Sequence, residues 1–312
     1  MKPAPHAATA GPVSTPASWD ASSVRLASRA GDFLALTKPR LNLLVLVTAA
    51  AGLYLAAPEG LPTSILVHTL VGTALVAGGA AALNQVWERD SDALMARTRA
   101  RPVPSGRVRP AEGLRFALIL SAAGLVELAA GVNALCASVA ALTLVTYILA
   151  YTPLKRRTSL STLVGAVPGA LPALIGWTAA GGGLTLPGLV LFGIVFLWQM
   201  PHFLSIAWLY RHEYAAAGVP LLPVVDPDGR RTGRQVLLYA AALWPMSLMP
   251  TLVGLTGGFY VVLAMLLGSV LVGLAVQFAR ERSTAAARRL FLYSITYLPL
   301  LWGALVADRL WI

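Results

Sequence analysis

The chain has 312 residues, 57% of them hydrophobic and only 12% charged, and its mean hydropathy is +0.71. Soluble chains carry about a quarter charged residues, so the composition excludes a soluble globular protein, a disordered chain and a coiled coil. The net charge of +11 would suggest nucleic acid in a soluble protein. In a membrane protein it is first a topology signal, because cytoplasmic loops collect Lys and Arg. The single cysteine, Cys136, excludes an intrachain disulfide, a cysteine-built zinc site and a covalently attached c-type haem.

Residues 1–34 are rich in Ala, Ser and Pro and lack the apolar core of a secretory signal. They are expected to form a disordered cytoplasmic tail, and residues 35–312 a single transmembrane domain. Nine apolar stretches approach the 20 or so residues that a bilayer-spanning helix needs. They are Leu41–Ala57, Ser64–Leu83, Leu114–Asn133, Leu135–Thr152, Ser161–Ala180, Pro187–Trp208, Val236–Gly254, Gly258–Ala279 and Leu290–Ala307. None shows the ten-residue alternation of barrel strands, so the fold class is all-α.

The basic residues fix the topology. All but Arg309 precede span one or fall between spans two and three (Arg115 at the very start of span three), four and five, six and seven, or eight and nine. The alternate connections carry no Lys or Arg. Eight or ten spans would break this alternation, so the pattern predicts nine helices, the N-terminus cytoplasmic and the C-terminus outside.

The sharpest motif comes directly after span two: Asn84-Gln85-Val86-Trp87-Glu88-Arg89-Asp90-Ser91-Asp92. If the helix continues, Asn84, Glu88 and Asp92 lie at i, i+4 and i+8 on one face, and Asp90 points elsewhere. Three stacked oxygen-bearing side chains suit Mg²⁺, which fills its remaining positions with water and substrate phosphate. Arg97, Arg99 and Arg101 stand close behind in the chain. Arginine offers phosphate a fork of donors, so an acidic face beside arginines points to a metal–diphosphate complex. Lys155 and Arg156, at the inner end of span four, are either a basic cap or further diphosphate contacts.

Span six carries Trp198-Gln199-Met200-Pro201-His202-Phe203 and emerges into Arg211-His212-Glu213. Polar groups inside a membrane helix are functional candidates. His202 is read as an acid–base group, a group that touches a haem iron, or a packing histidine. Glu213 is read as a support for a second metal or as half of a helix-end ion pair. Trp87, Trp198, Phe203 and Trp208 could line an apolar cavity and stabilise a cation through their ring faces. Glu127 and His68, near the outer ends of spans three and two, are read as a snorkelling acid and a structural histidine.

Together, Asn84-xxx-Glu88-xxx-Asp92, Met95 to Pro102, Tyr151-Thr152-Pro153-Leu154-Lys155-Arg156, Pro201-His202-Phe203 and Ala215 to Pro223 resemble the UbiA superfamily of intramembrane prenyltransferases, most closely its haem-farnesylating branch. The resemblance covers Ala35 to the C-terminus. It implies nine transmembrane helices around a central cavity, Mg²⁺ as cofactor and a location in the bacterial inner membrane. It implies metal and diphosphate binding at Asn84, Glu88 and Asp92, a catalytic role for these residues and His202, and diphosphate contacts from Arg97, Arg99, Arg101, Lys155, Arg156 and Arg211. Glu213 would be a further metal ligand, although the superfamily's second pair of aspartates is not evident here. The implied reaction joins the farnesyl group of farnesyl diphosphate to a vinyl group of haem B, giving haem O. The implied partners are the two substrates, the lipid bilayer, and haem A synthase or cytochrome oxidase assembly; nucleic acid is not among them. The alternatives are a related enzyme acting on a quinone precursor or chlorophyllide, a secondary transporter, or a structural membrane subunit.

Overall fold

The computed structural model describes residues 29–57, 60–181 and 183–310. Among them, nine helices are long and apolar enough to cross a membrane: Pro39–Ala56, Thr63–Trp87, Pro110–Gly131, Ala134–Leu154, Ser161–Ala179, Leu186–Leu209, Arg230–Leu252, Gly258–Glu281 and Thr284–Arg309. The all-α expectation and the count of nine hold. Spans seven and nine begin about six residues before their apolar runs, at Arg230 and Thr284. At both starts a side chain accepts from a first-turn N–H. Asp226 accepts from the backbone N–H and hydroxyl of Thr232 at 2.7 and 2.8 Å, and Ser283 accepts from the N–H of Ala286 at 3.1 Å.

The expected tail, 1–34, needs correction at its end. Residues 1–28 lie outside the described residues, but Arg29–Leu36 is a helix. It is held because Asp32 is buried and takes the Arg107 guanidinium at 2.8 Å, while Leu36 packs with Val103 and Val108. The loop after span two thus supplies the partner that orders this segment.

Span five is the hub. Two thirds of it is buried, more than any other span, and it contributes to both large apolar clusters. Small residues let its backbone approach span one. A Cβ at Gly176 would overlap the Ala49 carbonyl oxygen, and one at Gly52 the Ala173 carbonyl oxygen. Backbone contact of this kind is how apolar helices associate without a hydrophobic driving force between them. Gln199 of span six donates to the Ala166 carbonyl of span five at 3.1 Å and to its own Val195 carbonyl at 3.2 Å. The polar Gln199 is therefore a helix–helix tie.

Near the other membrane face, Glu127 does not stand alone. It pairs with His68 at 2.7 Å across spans two and three, and Gly131 leaves room for the imidazole ring. Two polar side chains within the bilayer satisfy each other here.

Candidate active site

Glu88 interrupts the regular helix at φ −88° and ψ 5°, but the i→i−4 hydrogen bonds run straight through. Glu88 N–H donates to the Asn84 carbonyl at 2.9 Å, and Asp92 N–H to the Glu88 carbonyl at 2.8 Å. Asn84, Glu88 and Asp92 therefore share one face as expected, and all three are buried. Asp90 is exposed and pairs with its neighbour Arg89.

Cations from three segments meet that face. Lys155 donates to both carboxylate oxygens of Glu88, at 3.0 and 2.9 Å. Arg101 donates to Asp92 Oδ2 at 2.6 Å. Lys38, just before span one, donates to Asn84 Oδ1 at 3.2 Å, and the amide of Asn84 reaches the Thr152 hydroxyl at 3.4 Å. Burial alone would lower the pKa of Lys155, but Tyr151 and Glu88 outweigh it and hold the ammonium above its ordinary value. Lys38 goes the other way. Burial and the nearby Arg101 lower it to about 8, against a partial pull from Glu88.

Local backbone explains how these cations arrive. Span four ends in a π turn, Thr146–Tyr151, whose extra residue resets the helical phase of the next turn. Thr152 and Lys155, just beyond it, face span two. Lys38 sits at φ 50° and ψ 59°, the left-handed region, immediately before Pro39. That conformation is sterically costly for a non-glycine residue, and here it turns the lysine into the acidic face.

The remaining sequence-predicted residues divide. Arg97 donates to the Tyr214 hydroxyl at 3.2 Å and lies over the Tyr210 ring, tying the loop after span two to the loop after span six. Arg211 stacks on Trp208 and donates to its carbonyl at 2.8 Å. Glu213 keeps Oε2 buried with no partner. Arg99 and Arg156 are exposed and are not drawn into the cluster. Of the aromatic candidates, Trp198 and Trp208 are buried, Phe203 is 41% exposed, and Trp87 is 52% exposed. Trp87 is thus turned away from the acidic face, because one residue before Glu88 is about 100° around the helix. His202 lies in span six at its contact with span nine, its Nδ1 2.8 Å from the Ser294 hydroxyl.

Lys38 is the residue that sequence reasoning counted only as a topology charge. No sequence signal marks it: the proline that follows biases residue 38 towards extended backbone, not the left-handed turn it takes.

The donor set fits Mg²⁺. Asn84, Glu88 and Asp92 offer hard oxygens on one buried face, and the orphaned Oε2 of Glu213 needs a partner. Among the described residues no three His, Cys, Asp or Glu come together.

Among the described residues, nine membrane-length helices carry buried acids, an amide and converging cations at one end of the spans. The chain belongs to the UbiA prenyltransferase family, which matches residues 45–303. It is 48% identical over 287 residues to the protoheme IX farnesyltransferase of Solibacter usitatus, covering 89% of this chain and 98% of that one. It is 48% identical over 281 residues to the enzyme of the same name from Myxococcus xanthus, covering 90% and 95%. Among solved structures, it resembles one of a digeranylgeranylglyceryl phosphate synthase, with a TM-score of 0.79 at 15% identity, covering 91% of this chain and 99% of that one. It also resembles a UbiA homologue from Archaeoglobus fulgidus bound to GPP and Mg²⁺, with a TM-score of 0.62 at 15% identity, covering 88% and 99%.

Proposed function

We propose that this protein transfers the farnesyl group of farnesyl diphosphate to a vinyl group of haem B, giving haem O. The observation that carries it is the buried face of Asn84, Glu88 and Asp92, gripped by Lys38, Arg101 and Lys155. Its acceptor and donor are those of the protoheme IX farnesyltransferases that the chain matches over nearly their whole length.

Mg²⁺, held by Asn84, Glu88 and Asp92, with Glu213 as support for a second ion, would neutralise the diphosphate oxygens and so favour loss of the leaving group. Arg101 and Lys155 are already charged and fixed beside the site, which makes them preorganised donors to the same oxygens. Lys38 adds a third cation, and Arg97 and Arg211 close the site from the loops. Arg99 and Arg156 have only an outer role in attracting the anion. The allylic C–O bond breaks, diphosphate leaves, and the vinyl carbon of haem B forms the new C–C bond. Water adds to the resulting cation next to the ring and gives up one proton, leaving the hydroxyethylfarnesyl group. His202 is the catalytic candidate on the acceptor side. Water must be kept from the first cation, and the apolar walls around Trp198 and Trp208 serve that end.

The basic loops support a cytoplasmic N-terminus and an outer C-terminus, and the bacterial relatives support a place in the inner membrane. Both substrates and the product are lipophilic, which favours hand-over within the bilayer to haem A synthase or to cytochrome oxidase assembly. The test is product analysis of the purified protein with farnesyl diphosphate plus haem B, beside farnesyl diphosphate plus 4-hydroxybenzoate. Haem O as the product supports the reading; a prenylated phenol alone overturns it.

A further inference from the structure

The surroundings of His202 specify its proton. The Ser294 hydroxyl lies 2.7 Å from the Phe291 carbonyl oxygen and 2.8 Å from His202 Nδ1. A carbonyl cannot donate, so the hydroxyl's single hydrogen points at Phe291, and Ser294 Oγ is left to accept. Nδ1 must then carry the proton, and in the neutral ring the lone pair falls on Nε2.

That lone pair has no use within the protein. Nε2 makes no hydrogen bond to any described residue, and it is not among the sealed, unpartnered polar atoms. The ring itself is held firmly. Trp198 stacks on it at 4.7 Å between centroids and is fixed by its own N–H to the Ser294 carbonyl at 2.8 Å. Phe203 and Phe291 close on it at 5.3 Å each. One nitrogen donating to a protein oxygen, the other left open, and the ring orientation locked is the build of a metal-ligating histidine. The metal is not Mg²⁺: imidazole suits iron, and among the described residues no cluster of acidic ligands surrounds the ring. The flanking aromatic side chains suit a flat apolar macrocycle.

We propose that His202 ligates, through Nε2, the iron of the porphyrin acceptor, and that Ser294 is the residue that positions it. This rests on the haem-acceptor reading above and extends it to the iron. His202 lies seven residues, about 10 Å, inside the end of span six, and Asn84 three residues, about 5 Å, inside the same end of span two. The acceptor's iron would therefore be held deeper in the bilayer than the diphosphate.

The test is titration of the full-length protein, purified in detergent, with ferric haem B, read by optical absorption and electron paramagnetic resonance. Wild-type protein should give an imidazole-ligated spectrum. His202→Ala should lose that signature and bind haem at least about tenfold more weakly, with the signature restored by added imidazole. Ser294→Ala should keep the signature and weaken binding a few-fold. If His202→Ala does not accumulate, His202→Met should accumulate and shift the spectrum towards thioether ligation. An unchanged spectrum in either His202 variant, or no haem binding by the wild type, overturns iron ligation. Haem O production is assayed on the same preparations to separate the two readings. Product from wild type beside an unchanged His202→Ala spectrum sinks the ligation and leaves the transfer reaction standing. Product with a phenolic acceptor alone sinks the transfer reading itself.

Discussion

Lys155, at the inner end of span four, holds both carboxylate oxygens of Glu88, at the inner end of span two, at 3.0 and 2.9 Å. Glu88 is buried, and the Lys155 side chain is 17% exposed, so neither charge can turn fully to water when the other is removed. Losing one partner of a buried pair costs about 3–5 kcal/mol, while losing both costs far less. Lys155→Met should therefore lower thermal stability in detergent more than the double variant Lys155→Met with Glu88→Gln. Both should lose transfer activity. Equal stability losses would mean that the pair is not coupled.

Asp92 and Asp90 are separated by one residue and by opposite surroundings. Asp92 is buried against Arg101, whereas Asp90 is exposed beside Arg89. Asp92→Asn should cut turnover about 100-fold or more, because it removes charge from the metal-binding face. Asp90→Asn should change it less than about twofold. Initial rates with farnesyl diphosphate and haem B check this; comparable losses would contradict the facial arrangement.

Lys38 combines a charge with an unusual backbone. Glycine takes the left-handed conformation freely, while a β-branched residue resists it. Lys38→Gly should keep the fold and raise KM for the diphosphate substrate about tenfold. Lys38→Val should also lower stability, because its backbone must leave φ 50°. A KM that stays at the wild-type value in Lys38→Gly would remove Lys38 from the site.

Features were legible in the sequence where a regular signal carried them. Apolar runs and alternating basic loops carry the nine spans, since the bilayer imposes both length and charge side. Asn84, Glu88 and Asp92 were legible because helical spacing is periodic. Choosing Arg101 over Arg99, or Lys155 over Arg156, was not, because these side chains are aimed by a loop and by a π turn whose phase no repeat records. Lys38 was hidden for the same reason: only the three-dimensional turn before Pro39 aims it inward. The helical angle from Glu88 already set Trp87 on a different face from the acids, where it is exposed.

Gly176 and Ala49 bring spans five and one into backbone contact. Gly176→Ala would push its new methyl into a carbonyl oxygen that belongs to a helix and cannot swing aside. Overpacking of a tight core costs about 1–3 kcal/mol, and here it loosens the most buried span. The expected result is a lower melting temperature, with activity lost in proportion to unfolding at the assay temperature. The nearby Gly183→Ala, with open space around its Cβ, is the control and should melt like wild type.

Metal removal tests the acidic face as a whole. Glu88 and Asp92 already have cationic partners in Lys155 and Arg101, so stripping the metal leaves no naked pair of carboxylates. The fold should therefore survive EDTA, with an unchanged melting temperature. Transfer should not survive it, because three protein cations cannot replace a divalent ion on the diphosphate oxygens. Excess Mg²⁺ should restore the rate, and Glu213→Gln should raise the Mg²⁺ concentration needed for half-maximal activity. Full activity in EDTA would remove the metal from the mechanism and leave Lys38, Arg101 and Lys155 as the groups that stabilise the departing diphosphate.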